Sequence, residues 1–117
     1  MKDKAYKKLI VWQKADELAF QLYSETKLFP KEEMYGVCSQ IRRAALSVPT
    51  NIVESNGRQN RKERKQFFNI ALGSLAETEY LLDFCLRLGY LRPEKYEALE
   101  SLRNETGALL WRLYHSL

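Results

Sequence analysis

Residues 61–88 read RKERKQFFNIALGSLAETEYLLDFCLRL, and this stretch decides the fold. Its apolar and small residues recur every three or four positions, which is the spacing of one face of an α-helix. Asn60 followed by Glu63 is typical of a capped helix start, and Gly89 is placed to end the helix. The stretch predicts a helix about 40 Å long. Its predicted buried stripe consists of Phe67, Phe68, Ala71, Ser74, Leu75, Thr78, Leu81, Leu82 and Cys85.

Three further segments show the same helical spacing, namely residues 9–27, 31–55 and 93–117. The second segment contains Pro49, which removes one helix hydrogen bond, so we expect a bend there rather than two helices. Its predicted buried stripe begins at Met34. Each segment therefore predicts one amphipathic helix.

The four helices are joined by short connections, and no segment alternates with the period of a strand. Short connections place consecutive helices side by side. The sequence therefore predicts an all-α fold, an antiparallel up-down-up-down four-helix bundle over residues 9–117. Residues 1–8 form a separate basic N-terminal segment, and 117 residues are enough for one domain only.

The amino-acid composition limits the classes of protein to which the chain can belong. The chain has 19 Lys and Arg against 15 Asp and Glu, and 45% of its residues are hydrophobic, as in ordinary globular proteins. No apolar run approaches the roughly 18 residues that a membrane span needs. The N-terminus MKDKAYKKLIVW lacks the apolar stretch and cleavage site of a signal peptide. We therefore expect a cytoplasmic protein with no membrane partner, in which Cys38 and Cys85 are reduced core thiols.

The residues that enzymes use for chemistry are scarce. His115 is the one histidine of the sequence, and no Glu-x-x-His pair of a di-iron bundle occurs. There is no glycine-rich phosphate loop, no Cys-x-x-Cys motif, and no nucleophile with a plausible histidine base. The sequence therefore predicts a protein that is not an enzyme, with no catalytic residues, no metal ligands and no cofactor.

Positive charge is concentrated in residues 1–8 and residues 58–65, with net charges of +3 and +4. Since the whole chain carries +4, the rest of it carries −3. In an up-down-up-down bundle the first and third helices start at the same end, so the two stretches should merge. A concentrated basic surface attracts RNA or DNA through phosphate contacts, although a charged stretch can also be only a solubilising surface. The nucleic-acid-binding residues predicted from this are Lys4, Lys7, Lys8, Arg58, Arg61, Lys62, Arg64 and Lys65.

Several apolar residues fall outside the predicted core stripes. Any one of them can be a half-buried residue at the flank of a helix, but three helices share the feature, which favours self-association. Gly73 and Gly107 add to this, because a mid-helix glycine costs about 1 kcal/mol and the close approach of another helix would explain it. The predicted oligomer interface consists of Leu46, Val53, Gly73, Tyr80, Phe84 and Trp111.

A polar stripe runs along the second helix. Its two ends, Arg43 and Glu54, are three turns apart and too distant to pair directly, but Ser47 and Asn51 could bridge them. Two interpretations stay open, an exposed polar face and a hydrogen-bonded network at a subunit contact.

The order of short motifs along the chain resembles the bacterial four-helix bundle family of 23S rRNA intervening-sequence proteins. It is also similar to the accessory variability determinant of diversity-generating retroelements. The resemblance covers about residues 9–115, with Lys8 and Ser55 departing from the usual pattern. The motifs are VWQKA at 11–15, QIRRAA at 40–45, SVPTNIVE at 47–54, NGR at 56–58, GSLAE at 73–77 and LGYL at 88–91.

The resemblance implies a homopentamer of four-helix bundles with a basic surface suited to RNA or DNA, and in the retroelement members a reverse transcriptase as partner. The residues at the family-pattern positions are Arg42, Arg43, Asn51 and Glu54. Arg42 and Arg43 thereby become further candidates for nucleic-acid binding. The motif leaves open whether the four residues serve binding or assembly.

Together, the charge and the resemblance predict a homo-oligomeric module that binds nucleic acid electrostatically. The alternative is an accessory subunit that docks onto another protein, for example a reverse transcriptase, without a direct nucleic-acid role. The two differ in salt dependence, because phosphate binding weakens steeply with salt and apolar docking does not.

Overall fold

A computed structural model describes residues 4–117. Lys2 and Asp3 of the basic N-terminal segment lie outside the described residues. A short 3-10 turn, Ala5–Lys8, leads into helix α1, and a second one, Lys31–Glu33, lies between α1 and α2. The four helices are α1 (Ile10–Thr26), α2 (Val37–Asn56), α3 (Arg61–Arg87) and α4 (Pro93–Ser116).

The helices pack in a closed ring in which α1 contacts α2, α2 contacts α3, α3 contacts α4 and α4 contacts α1. This is the neighbour order of an up-down-up-down bundle, and it confirms the predicted all-α fold. The long dimension of the molecule is 43 Å, which matches the length of α3 at about 1.5 Å per residue.

The core lies along the axis of the ring and receives side chains from all four helices. Leu18, Ile41, Leu82 and Leu99 are examples, one from each helix, and all four are fully buried. Thr78 is buried too, and its hydroxyl donates to the carbonyl of Ser74 one turn earlier. Cys38 and Cys85 are free and buried, as predicted.

The start of the second helix differs from the prediction. The helix begins at Val37 rather than near residue 31, and Met34 is 55% exposed instead of belonging to the core. The reason is a local cap, in which the Glu33 carboxylate folds back and accepts from the backbone N–H of Val37 at 3.3 Å. Gly36 makes room for it, because a Cβ there would lie 2.6 Å from that carboxylate oxygen.

Helix ends elsewhere follow the sequence signals. The Asn60 side chain accepts from the backbone N–H of Glu63 at 3.1 Å, which confirms the predicted N-cap of α3. Gly89 has a φ of +79° and ends the same helix in the left-handed conformation that glycine adopts readily. Helix α2 runs through Pro49 without division.

Candidate nucleic-acid interface

Four helix termini meet at one end of the bundle. They line a common cavity of about 170 Å³, to which Leu9 contributes just before α1, Ile52 from the end of α2, Phe68 from the start of α3 and Leu113 from the end of α4. Residues 4–8 of the first basic stretch and residues 58–65 therefore lie at the same end, as the predicted topology requires.

This end carries a concentrated positive charge, and we call it the basic end. Its side chains include nine lysines and arginines and two acidic residues, Glu54 and Glu63, so they carry an excess of seven positive charges. Since the chain as a whole carries +4, the remainder is net negative. The nine cationic residues are Lys4, Lys7, Lys8, Arg58, Arg61, Lys62, Arg64, Lys65 and Arg112.

Arg112 is the member of this group that sequence reasoning missed. It lies near the end of α4 and lines a shallow groove together with Lys8 and Ile10 at the start of α1. The signal that could have found it is topological, because α4 has to end beside the start of α1 in this bundle.

Six of the nine cations face solvent without an ion pair within residues 4–117. The others have contacts inside the protein. Arg58 pairs with Glu54 at 3.1 Å, and the ammonium nitrogen of Lys65 lies 4.9 Å from the ring centre of Tyr114. The six exposed cations without an ion pair are Lys4, Lys7, Lys8, Arg61, Lys62 and Arg112.

Arg64 is held at the wall of the end cavity by Ser55. Its Nε donates to the Ser55 carbonyl at 3.3 Å, and the Ser55 hydroxyl donates to the Arg64 carbonyl at 3.1 Å. Ser55 is almost completely buried, so the pair joins the last turn of α2 to the first turn of α3.

A model of the 23S rRNA-intervening sequence protein family matches residues 7–112 of the chain. The chain belongs to this family. A solved structure from Bacteroides thetaiotaomicron, described as a protein of unknown function from the S23 ribosomal protein family, is similar at 29% identity and a TM-score of 0.81. The similarity covers 90% of this chain and 98% of that one. No curated protein matches the chain.

Arg42, at a family-pattern position, is engaged inside the bundle. Its Nε donates to the Thr26 hydroxyl at 2.7 Å, a terminal nitrogen donates to the Tyr23 carbonyl at 3.2 Å, and the guanidinium lies over the Tyr23 ring. A cation that binds the last carbonyls of a helix stabilises that helix end. These contacts give Arg42 a role in stabilising the fold. They lie at the end of the bundle opposite to the basic end.

The other family-pattern residues lie along the outer side of α2. Asn51 donates to the carbonyl and hydroxyl oxygens of Ser47, at 2.8 and 3.0 Å, and the Ser74 hydroxyl of α3 donates to the Ser47 hydroxyl at 2.8 Å. These three residues therefore link α2 to α3 within one chain, but they do not bridge Arg43 to Glu54. Arg43 is exposed and lines a groove between α2 and α3 together with Ser47 and Ser74. Glu54 pairs with Arg58 rather than with Arg43.

The predicted interface residues fall on separate parts of the surface. Leu46 borders a groove between α1 and α2, on the side of α2 to which Val53 also belongs. Tyr80 and Phe84 stack on each other beside the groove between α2 and α3, with ring centres 6.0 Å apart. Trp111 stacks on His115 near the end of α4, and Gly73 has open space around it.

Titratable groups offer little reactive chemistry in residues 4–117. Burial, followed by the charge of Glu33, raises the pKa of the Cys85 thiol to about 12, which disfavours a reactive thiolate. The Tyr90 hydroxyl donates to Glu33, and this hydrogen bond raises the pKa of Tyr90.

No cluster of three His, Cys, Asp or Glu side chains able to hold a metal occurs in the described part of the chain. No helix there is long and apolar enough to cross a membrane.

Proposed function

We propose that this protein is a non-enzymatic, homo-oligomeric module of the cytoplasm that binds RNA or DNA through its basic end. The observation that carries the proposal is the excess of positive charge at one end of the bundle, where nine lysines and arginines lie with two acidic side chains. Neutralising backbone phosphates with such side chains releases counterions and gives affinity without sequence reading. The family description names a ribosomal RNA, which agrees with this class of ligand.

The same proposal includes self-association, with a homopentamer as the expected form. Exposed apolar side chains such as Tyr80 and Trp111 support it, as does Gly73, where an added Cβ would meet nothing within 4 Å of the same chain. Each copy in a ring would contribute one basic end, so weak phosphate contacts would act together through a high effective concentration.

The test is a triple variant, Arg61→Gln, Lys62→Gln and Lys65→Gln, compared with the wild type in binding to unrelated RNA and duplex DNA. The plot of log affinity against log salt concentration should have a steep negative slope for the wild type, and the variant should flatten it by up to about 3. Affinity should fall about equally for all sequences, because phosphates carry no sequence information.

A matched control removes three cations from the opposite end of the bundle, as Lys27→Gln, Lys31→Gln and Lys95→Gln. This variant has the same net charge as the first, so only the position of the charge differs. Equal losses in the two variants would mean that net charge alone drives binding. Unchanged affinity and slope in the first variant would remove the basic end as the binding surface.

A second candidate function is docking onto a protein partner, for example a reverse transcriptase. The observation that favours it is the groove between α1 and α2, where Phe20 is 70% exposed and Leu46 is 46% exposed. Sequence reasoning did not single out Phe20. A Phe20→Glu variant should abolish capture of such a partner and leave nucleic-acid affinity unchanged, whereas the basic-end variant should do the reverse.

A further inference from the structure

We propose that the cavity at the basic end binds one base unstacked from a single-stranded nucleic acid, while the surrounding cations bind the flanking phosphates. This inference rests on the proposed function and specifies the form of nucleic acid that the basic end recognises.

The size and walls of the cavity suit a single flat ring. Its volume is about 170 Å³, and a cavity of about 150 Å³ in another protein is large enough for benzene. Apolar side chains form most of the wall, and the Phe68 ring offers a surface against which a base can stack. The apolar wall consists of Leu9, Ile52, Phe68, Leu113 and Leu117.

Polar groups are present at the same wall, and two of them are available to a ligand. The hydroxyls of Ser55 and Ser116 are used, because they donate to the carbonyls of Arg64 and Leu113. Within residues 4–117, the terminal nitrogens of Arg64 and the amide of Asn56 make no hydrogen bond. A pyrimidine edge carries carbonyl oxygens, which are acceptors for such donors.

Arg64 is also held in place before a ligand arrives. Its Nε is bound to the Ser55 carbonyl at 3.3 Å, so its planar group is oriented while both terminal nitrogens remain available. A side chain that is already ordered loses less entropy on binding. This separates Arg64 from Arg61 and Lys62, which are exposed on the same helix and suited to phosphates at the mouth of the cavity.

The geometry favours single strands over duplexes. A base in a duplex has to be unpaired and unstacked before it can enter a cavity, which costs a few kcal/mol, whereas a single strand presents its bases at little cost. The basic end should therefore bind a pyrimidine single strand more tightly than a duplex with the same number of phosphates.

The experiment compares a ten-nucleotide oligothymidylate with an abasic oligonucleotide of the same length by fluorescence anisotropy at several salt concentrations. The two probes carry the same phosphates and differ only in the bases. Wild-type protein should bind the oligothymidylate about tenfold more tightly, which is the typical contribution of one stacked base. The slopes of log affinity against log salt should be equal, because the phosphate contacts are shared.

Two variants locate the base. Arg64→Lys keeps the charge but removes Nε and the planar donor group, so the tenfold ratio should fall severalfold with an unchanged salt slope. Ser116→Leu narrows the exposed mouth of the cavity with a side chain that has no aromatic ring for a base to stack on, and it should abolish the ratio without affecting folding. Arg61→Lys is the matched control on the outer surface of the same helix, and it should keep the ratio.

The outcomes separate this inference from the proposed function. Equal binding of both probes by the wild type, with a steep salt slope, would overturn the cavity proposal and leave electrostatic binding intact. A ratio that persists in both Arg64→Lys and Ser116→Leu would also overturn it, because the base would then bind elsewhere. Failure to bind either probe, together with RNA and duplex DNA, would overturn the proposed function itself.

Discussion

Ser55 and Arg64 exchange two hydrogen bonds across the turn between α2 and α3. The Ser55 hydroxyl donates to the Arg64 carbonyl at 3.1 Å, and Arg64 Nε donates to the Ser55 carbonyl at 3.3 Å. Glycine at position 55 could not donate the first of these bonds. The pair thus joins two helix ends and positions a cation at the wall of the end cavity.

Replacing Ser55 by alanine should destabilise the protein by about 1 kcal/mol, because the Arg64 carbonyl loses the hydrogen-bond donor that the Ser55 hydroxyl provides. Urea denaturation measures this change. Ser24→Ala, at an exposed serine of α1, is the control and should leave the unfolding midpoint unchanged. An equally small effect of both substitutions would mean that the Ser55 hydroxyl contributes nothing to stability.

Leu82 lies at the centre of the core, with no exposed surface. Leu82→Ala should lower the free energy of unfolding by about 2–5 kcal/mol, since it removes buried methyl groups and leaves a cavity. Thermal melting followed by circular dichroism would show this. Ile70→Ala on the same helix is the control, because Ile70 is half exposed and should have a much smaller effect. Similar melting temperatures for the two variants would contradict the packing of α3.

Tyr80 tests the proposed self-association. It is 59% exposed in the single chain, so Tyr80→Glu should leave the fold of each copy intact. In a subunit contact the new charge would be desolvated, and the oligomer should shift toward the monomer in sedimentation experiments. Tyr35→Glu, at a still more exposed tyrosine, should not shift it. A wild type that is already monomeric at tens of micromolar would refute self-association through this surface.

Cys85 predicts a pH dependence of stability. Its thiol has a pKa of about 12 in the folded protein against 9.0 in the absence of the fold. The folded state holds this proton more tightly than the unfolded state does. The stability that the thiol contributes is therefore fully present below pH 9, and it is lost as pH rises toward 12. At neutral pH, Cys85→Ala should have a lower free energy of unfolding than the wild type, because the substitution leaves a cavity. From pH 9 upward, its free energy of unfolding should decline less steeply than that of the wild type. Parallel pH profiles for the two proteins would contradict the raised pKa.

Local signals predicted most of the fold correctly, and one failure is instructive. The spacing of apolar residues predicted four helices, and the Asn60 cap of α3 is confirmed because it depends only on residues three apart. The second helix was predicted to begin near residue 31, since Met34 continues its apolar stripe. The structure begins it at Val37, because the Glu33 carboxylate caps the helix there and Met34 has no partner to pack against.

The sequence by itself determined the helices, their buried faces and, through short connections, the meeting of both basic stretches at one end, because these depend on spacing along the chain. Only the tertiary structure placed Arg112 beside Lys8, directed Arg42 to the end of α1 and brought Arg64 to Ser55 at the cavity wall. Each of these depends on which side chains of two adjacent helices face each other. That register is set by packing in the core, and no periodicity within one helix records it.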